Sequence, residues 1–245
     1  VVSTLGADVL RLWVAATDYT GEMSCSDEIL KRTSDSYRRL RNTARFLLGN
    51  LHGFDPQHDA VPAEQLVQLD AWAIARAAQL QDEVVADYRD YQFLTVYQKV
   101  HTYCVVELGG LYLDVIKDRL YTTPDGSLPR RSAQTALFHI AHAMTRWLAP
   151  ILSFTAEEIW QHLPGAAAVA ESVFLTQWHV LPSVPAARID WDALAQLRAA
   201  VLRRLEVLRD AGSIGSSLDA DLYVYCLPQQ ASVLSALGDE LRFYT

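Results

Sequence analysis

The sequence predicts a mainly α protein, a bundle of long helices followed by a small α/β appendage. Two patterns predict the bundle. Apolar residues recur at helical spacing through long stretches between residues 26 and 209. Between those stretches, at 52–62, 122–131 and 164–190, the chain carries clusters of turn-formers. The appendage is predicted by Leu222 to Cys226 (LYVYC), which is short and β-prone. At 245 residues and 51% hydrophobic, the chain can bury a sizeable core and reads as one large domain plus a smaller one.

The elements follow in order. Gly6 to Ala16 reads as a short helix with Val9, Leu10, Trp13 and Val14 on its apolar side, and Arg11 is expected to pair with Asp8. Ser26 to Leu51 reads as the first long helix. Ser26 is a good N-cap, and Asp27 and Glu28 put negative charge in the first turn, where the helix dipole favours it. At about 100° per residue, Tyr37, Leu40, Ala44, Leu47, Leu48 and Leu51 form one core-facing stripe. After the loop at 52–62, Pro62 suits the first turn of a second helix running to about Tyr88. Its stripe is Leu66, Leu69, Trp72, Ala73, Ala77, Leu80, Val84 and Tyr88, with Trp72 read as core.

Residues 93–121 read as a third long helix, with Phe93, Val96, Tyr97, Val100, Cys104, Leu108, Leu111, Tyr112 and Val115 inward. Gly109 and Gly110 interrupt it at about 1 kcal/mol each relative to Ala, which signals close packing or a bend. A turn at 122–131 leads to a fourth helix that ends near Leu148, ahead of Pro150. Arg130 and Arg131 stand at its start, where cations oppose the dipole, so a carboxylate or a phosphate should offset them. Thr155 to Glu158 reads as a capping box opening a short fifth helix. The stretch 164–190 reads as an irregular connection packed by Phe174 and Trp178. Asp190 or Asp192 opens a helix to about Arg209, with Leu194, Leu197, Val201, Leu205 and Leu208 in register. Gly212 to Ser217 reads as a flexible break and Ser232 to Tyr244 as a last helix.

Charge singles out the first long helix. From Lys31 to Arg45 there are six cations and one anion, a local +5 in a chain of net −8. Lys31, Arg38, Arg41 and Arg45 share the flank beside the apolar stripe, with Asn42 close by. A solvated helix face usually mixes signs, because like charges repel. A one-sign face built from Arg suits a polyanion, since the guanidinium fork matches phosphate and stacks on bases. Neutralisation by distant carboxylates is the alternative. The acidic balance overall, 29 Asp and Glu against 21 Lys and Arg, argues against indiscriminate nucleic-acid binding.

The same residues carry a resemblance. YRRLRNTARFLLGNL at 37–51 resembles the opening helix of the anticodon-binding domain of isoleucyl-tRNA synthetases, and GADVLRLWVAATDYTGEMSCSDEILKR at 6–32 is similar to the family's link into that helix. LYLDVIKDRLYT at 111–122 and RWLAPILSFTAEEIWQHLPG at 146–165 match the same family in the same order. The resemblance covers essentially the whole chain. It implies a stem-contact segment at 1–24 linking to a catalytic domain, the anticodon-binding bundle at 25–165, an irregular connection at 166–189, and the helix and α/β appendage at 190–245. It also implies a tRNA contact by Lys31, Arg38, Arg41, Asn42 and Arg45, with a second zone of Lys117, Arg119, Arg130 and Arg131. A last-turn position on the helix dipole explains Lys117 and Arg119 without RNA. Valyl- and leucyl-type synthetases share the architecture, but DYTGEM at 18–23 and RNTARFLLGN at 41–50 look isoleucyl.

No catalytic residue is expected in the chain. Neither a His-x-Gly-His motif nor a Lys-Met-Ser-Lys-Ser loop occurs, and no Gly-rich phosphate cradle does. Asp114 and Asp118 are expected to ion-pair with Lys117 and Arg119 rather than to act as an acid/base couple. His139 and His142, three apart, are read as core-edge histidines, so no metal is expected. No cofactor is expected here, ATP and Mg belonging to the parent enzyme and zinc to a C-terminal element beyond this chain. Three scattered cysteines argue against a disulfide framework, and the start at VVSTLG fits a piece of a longer cytoplasmic protein. The implied partners are tRNA and the catalytic and editing domains of the parent, with neither a membrane nor DNA. A docking module whose basic face takes an acidic protein is the competing class. Because a core carboxylate would have no partner, Leu40→Asp or Leu47→Asp is expected to abolish the cooperative thermal melt.

Overall fold

Ser26 caps the first long helix, its Oγ accepting from the Ile29 amide at 3.3 Å. That cap follows from a short polar side chain that can turn back onto an amide left over in the first turn. The computed structural model describes residues 1–185, 189–216, 219–235, 237 and 241. It divides into two compact units, Val1–Pro185 and Ala186–Thr245. Among the described residues the regular structure is helical.

In the larger unit, α1 (Val2–Leu5) and α2 (Ala7–Ala15) precede α3 (Asp27–Asn50), and a 3₁₀ turn at Ala63–Gln65 precedes α4 (Gln68–Arg89). Pro62 therefore opens the 3₁₀ turn, and the second long helix begins only at Gln68. Then come α5 (Phe93–Thr102), a π-helical stretch (Tyr103–Tyr112), α6 (Leu113–Thr122), α7 (Leu128–Leu148), α8 (Ser153–Trp160) and α9 (Ala166–Val169). Helix α7 is the hub. It packs on α3, α4, α6 and α8, and it is buried almost from end to end. Leu40, Ala44, Leu47 and Leu51 of the predicted stripe are buried against this core, while Tyr37 and Leu48 are half-exposed at its edge. Trp72 is likewise half-buried.

The predicted third helix is one run of three parts, because its middle widens to π geometry. Gly109 accommodates the change. A Cβ on Gly109 would lie 3.1 Å from the Cys104 carbonyl oxygen, five residues back, where a π turn brings it. The close approach is thus inside the helix's own backbone, and only a residue without a side chain takes it at no cost.

One buried carboxylate ties three of these elements to a fourth. Asp70 on α4 is fully buried. It accepts from both Nη atoms of Arg119 at 2.9 Å, from the Tyr112 hydroxyl at 2.9 Å and from Ser132 Oγ at 2.5 Å. Ser132 Oγ in turn accepts from the Val67 amide. Four donors on two oxygens satisfy a charge that could not otherwise be buried.

The charges of α2 do not pair with each other, contrary to the sequence expectation. Arg11 donates to the Pro150 and Ile151 carbonyls at 2.8 Å, where α7 ends. Asp8 accepts from the amides of Phe154 and Thr155 and from Thr155 Oγ1. The predicted capping box therefore gives way to a cap supplied from another helix. Helix α8 starts two residues before Thr155, and its own flanking residue Leu152 has no side-chain oxygen to cap with.

The connection after α8 is more regular than expected. Gly165, left-handed at φ +72°, opens α9. Val173 in the 3₁₀ turn Val173–Leu175 is buried, whereas Phe174 is exposed, and Trp178 stacks on Tyr88 at 6.0 Å.

In the smaller unit, Asp190 caps α10 (Trp191–Asp210) through the Ala193 amide, with Leu194, Val201 and Leu205 buried and Leu197 and Leu208 half-buried. The predicted strand at 222–226 is absent, so the α/β appendage is corrected to helix and coil among the described residues. Tyr223 and Tyr225 are both largely exposed, and a β-prone segment without a partner strand has nothing to pair with. A last helix is present as α11 (Pro228–Ser235), and the remainder of the predicted span to Tyr244 lies largely outside the described residues, as does Ser217.

Removing one partner of a buried pair strands the other charge. Arg119→Ala is therefore expected to cost about 3–5 kcal/mol, read as a lower denaturant midpoint.

Candidate nucleic-acid interface

Every cation of the predicted α3 flank is exposed: Lys31, Arg38, Arg41 and Arg45, with Asn42 among them. From Lys31 to Arg45 the helix rises about 21 Å, so the ridge spans several phosphates. Lys31 and Arg45 make no ion pair or side-chain hydrogen bond among the described residues. Arg38 meets only Asp35, at 3.3 Å with both side chains mostly in water, and such a pair contributes little. Arg41 is held more firmly. Its Nη2 donates to Glu158 Oε1 at 2.7 Å and its Nη1 to the Tyr37 hydroxyl at 3.1 Å. Glu158 lies on α8, far along the chain, so no spacing rule could have found it.

Beside the ridge, the end of α3 and helix α8 enclose an open groove of about 890 Å³. Ala44, Leu48, Ile159 and Leu163 give it an apolar floor, while Arg41, Arg45, His52 and His162 stand around it. The sequence stripe had assigned Leu48 to the core, and its half-exposure is what leaves this floor open.

The second zone is differently built. Arg119 is corrected from a surface contact to an internal one, because its guanidinium is committed to Asp70 and its side chain is 19% exposed. Lys117 pairs with Asp114 at 3.0 Å on the surface. Arg130 meets Asp125 and Arg131 meets Asp59, each at 3.0 Å, so a carboxylate offsets both helix-start cations. The ridge on α3 and this zone therefore differ in what an incoming anion would have to displace.

The sequence model described as the anticodon-binding domain of tRNA ligase matches residues 70–224, well over half of the chain. The chain belongs to this family of anticodon-binding domains. It is also 57% identical to proteins named isoleucine–tRNA ligase from Nitrosococcus oceani and Methylococcus capsulatus, and 56% identical to one from Halorhodospira halophila. Each alignment covers 99% of the chain, which spans about a quarter of the length of these relatives. The family match begins at Asp70, the buried carboxylate, and leaves α3 outside it. The alignments to the relatives cover α3 as well.

The anticodon-binding domain also buries a histidine cluster. His139 and His142 on α7 are joined by His179, which sequence spacing did not bring to them. His139 Nδ1 lies 2.9 Å from His179 Nε2, and the His142 ring stacks on His179 at 5.3 Å. A carbonyl can only accept, so His142 Nε2 donates to Pro164 O, leaving Nδ1 to accept from Arg146. Neither nitrogen of His142 is left to bind a metal. Among the described residues no three or more His, Cys, Asp or Glu side chains are placed so that they could hold a metal ion together. Arg146 itself is buried over the Trp160 ring at 4.7 Å, its Nε donating to Gln177 O and its Nη1 to His142 O.

Burial lowers the pKa of His139 and His142 to about 4 and that of His179 to about 3, from an ordinary 6.5. The folded cluster is neutral where the unfolded chain would take up protons. Stability is thus full above pH 6.5 and is expected to fall as pH drops from about 6.5 towards 4. Thermal melts across that range should show the loss, and a His139→Phe/His179→Phe variant should show a shallower one.

Proposed function

We propose that this chain grips the anticodon-region loop of a tRNA through the basic ridge of α3. We propose further that the whole protein is a cytoplasmic isoleucine–tRNA ligase, which joins isoleucine to its tRNA using ATP and Mg²⁺ in catalytic and editing parts outside this chain. The observation that carries the reading is the juxtaposition of an exposed cationic ridge, whose ion pairs are open to water, with an apolar groove, in a chain of this family. The names of the relatives support the amino acid.

Two kinds of contact follow from the side chains. Lys31, Arg38 and Arg45 would neutralise backbone phosphates, a sequence-independent term that falls with salt. The groove beside Arg45 would take an unstacked base, its apolar floor supplying a surface for the ring, while the exposed Asn42 amide on the ridge outside it would offer a donor and an acceptor. Loops expose base faces and edges that a duplex hides, and sequence-specific RNA readers use them. Lys117, Arg130 and Arg131 would add secondary contacts, each after giving up a carboxylate, and Arg119 would act only through stability.

The test is a titration of cognate and mismatched tRNA at several salt concentrations. Arg41→Ala with Arg45→Ala should weaken binding and flatten the log–log salt slope by about one unit per lost phosphate contact. Gly49→Leu should weaken binding at an unchanged slope, because a Cβ there meets nothing within 4 Å and the added apolar bulk narrows the groove without removing a cation. Equal affinity for cognate and mismatched tRNA would favour a charge-only dock for an acidic partner.

A further inference from the structure

We propose that Glu158 is a built-in competitor for the phosphate that Arg41 would bind, so that one cation of the ridge is masked until a well-placed phosphate displaces the carboxylate. This deepens, and rests on, the tRNA-binding reading. The geometry separates Arg41 from its neighbours. Among the described residues Lys31 and Arg45 have no carboxylate partner, and Arg38 has a loose one within its own helix. Arg41 alone among the four reaches across to another helix, at 2.7 Å.

The acceptor is also well placed to let go. Arg41 and Glu158 side chains are 46% and 55% exposed, and an ion pair so open to water is worth little in net terms. A carboxylate of this kind can be exchanged for a phosphate at small cost, whereas Asp70 cannot be exchanged for anything.

Exchange would leave the guanidinium aimed. Its second contact, the Tyr37 hydroxyl, is 3.0 Å from Thr155 Oγ1, and Thr155 donates to buried Asp8 at 2.6 Å. Glu158 stands one turn of α8 beyond Thr155, and both line the groove with Arg41 and Arg45. A phosphate entering there would meet Arg45 directly and Arg41 by displacement. A stray anion lacks the second contact and gains less from displacing Glu158. The mask therefore selects for a phosphate chain that reaches both arginines.

The test is a double-mutant cycle on the whole chain, with tRNA and with inorganic tripolyphosphate as probes. Glu158→Gln should tighten binding of both by about two- to fivefold. Glu158→Asp, which keeps the charge but withdraws it by one methylene, should give a smaller gain in the same direction. In an Arg41→Ala background neither change should matter. A melt of each variant checks the fold, and Glu158→Asp serves if Glu158→Gln melts early. The proposal is overturned if the gain is absent, or if it persists without Arg41, since a net-charge effect would survive that loss. If the tRNA reading fails but the mask is real, tripolyphosphate still shows the Arg41-dependent gain while cognate and mismatched tRNA bind alike. If only the mask fails, the wild type discriminates between tRNAs and the Arg41-dependent gain is missing.

Discussion

The larger unit depends on Asp70, a charge with no access to water. Its two oxygens take four hydrogen bonds from α6, the π stretch and α7, so three elements must be in register before the carboxylate is tolerated. A misregistered packing leaves an unpaired buried ion, which is far worse than a missing apolar contact. The hydrophobic stripes bring the helices together, and the carboxylate selects among the ways they could meet. Arg119 belongs to this lock, which is why a cation next to Lys117 in sequence has a different fate from it.

Net charge and local charge act separately in this molecule. The chain is acidic overall, yet α3 presents its cations on one side and its leucines on the other. The buried face fixes the rotation of the helix, and the rotation fixes where the arginines point. The affinity of the surface for anions is thus a by-product of core packing, set by Leu40, Ala44 and Leu47 rather than by any contact among the cations themselves.

The helices were legible because their apolar periods are long and their caps local. Ser26 could be read from its neighbours and caps as the sequence implies, and of the two candidates Asp190 and Asp192 it is Asp190 that caps α10. What was not legible was long-range. The partner of Arg11 is a pair of carbonyls on the far side of the chain, the cap of α8 comes from Asp8, and Arg119 is claimed by a carboxylate 49 residues away. The groove followed the same rule: Leu48 fits the stripe by angle, and only the position of α8 decides that it stays half open. The β-prone segment at 222–226 failed for the complementary reason, since strand propensity has no effect without an adjacent strand.

Helix α2 and the basic ridge cannot move independently. Asp8 holds Thr155, Thr155 meets Tyr37, and Tyr37 steadies Arg41, all through side-chain oxygens in direct contact. A tilt of α2 must either break that relay or drag the guanidinium with it. The relay is rigid at its buried end and loose at its wet end, so strain applied at Asp8 would emerge as a reorientation of the hand that α3 holds out to solvent.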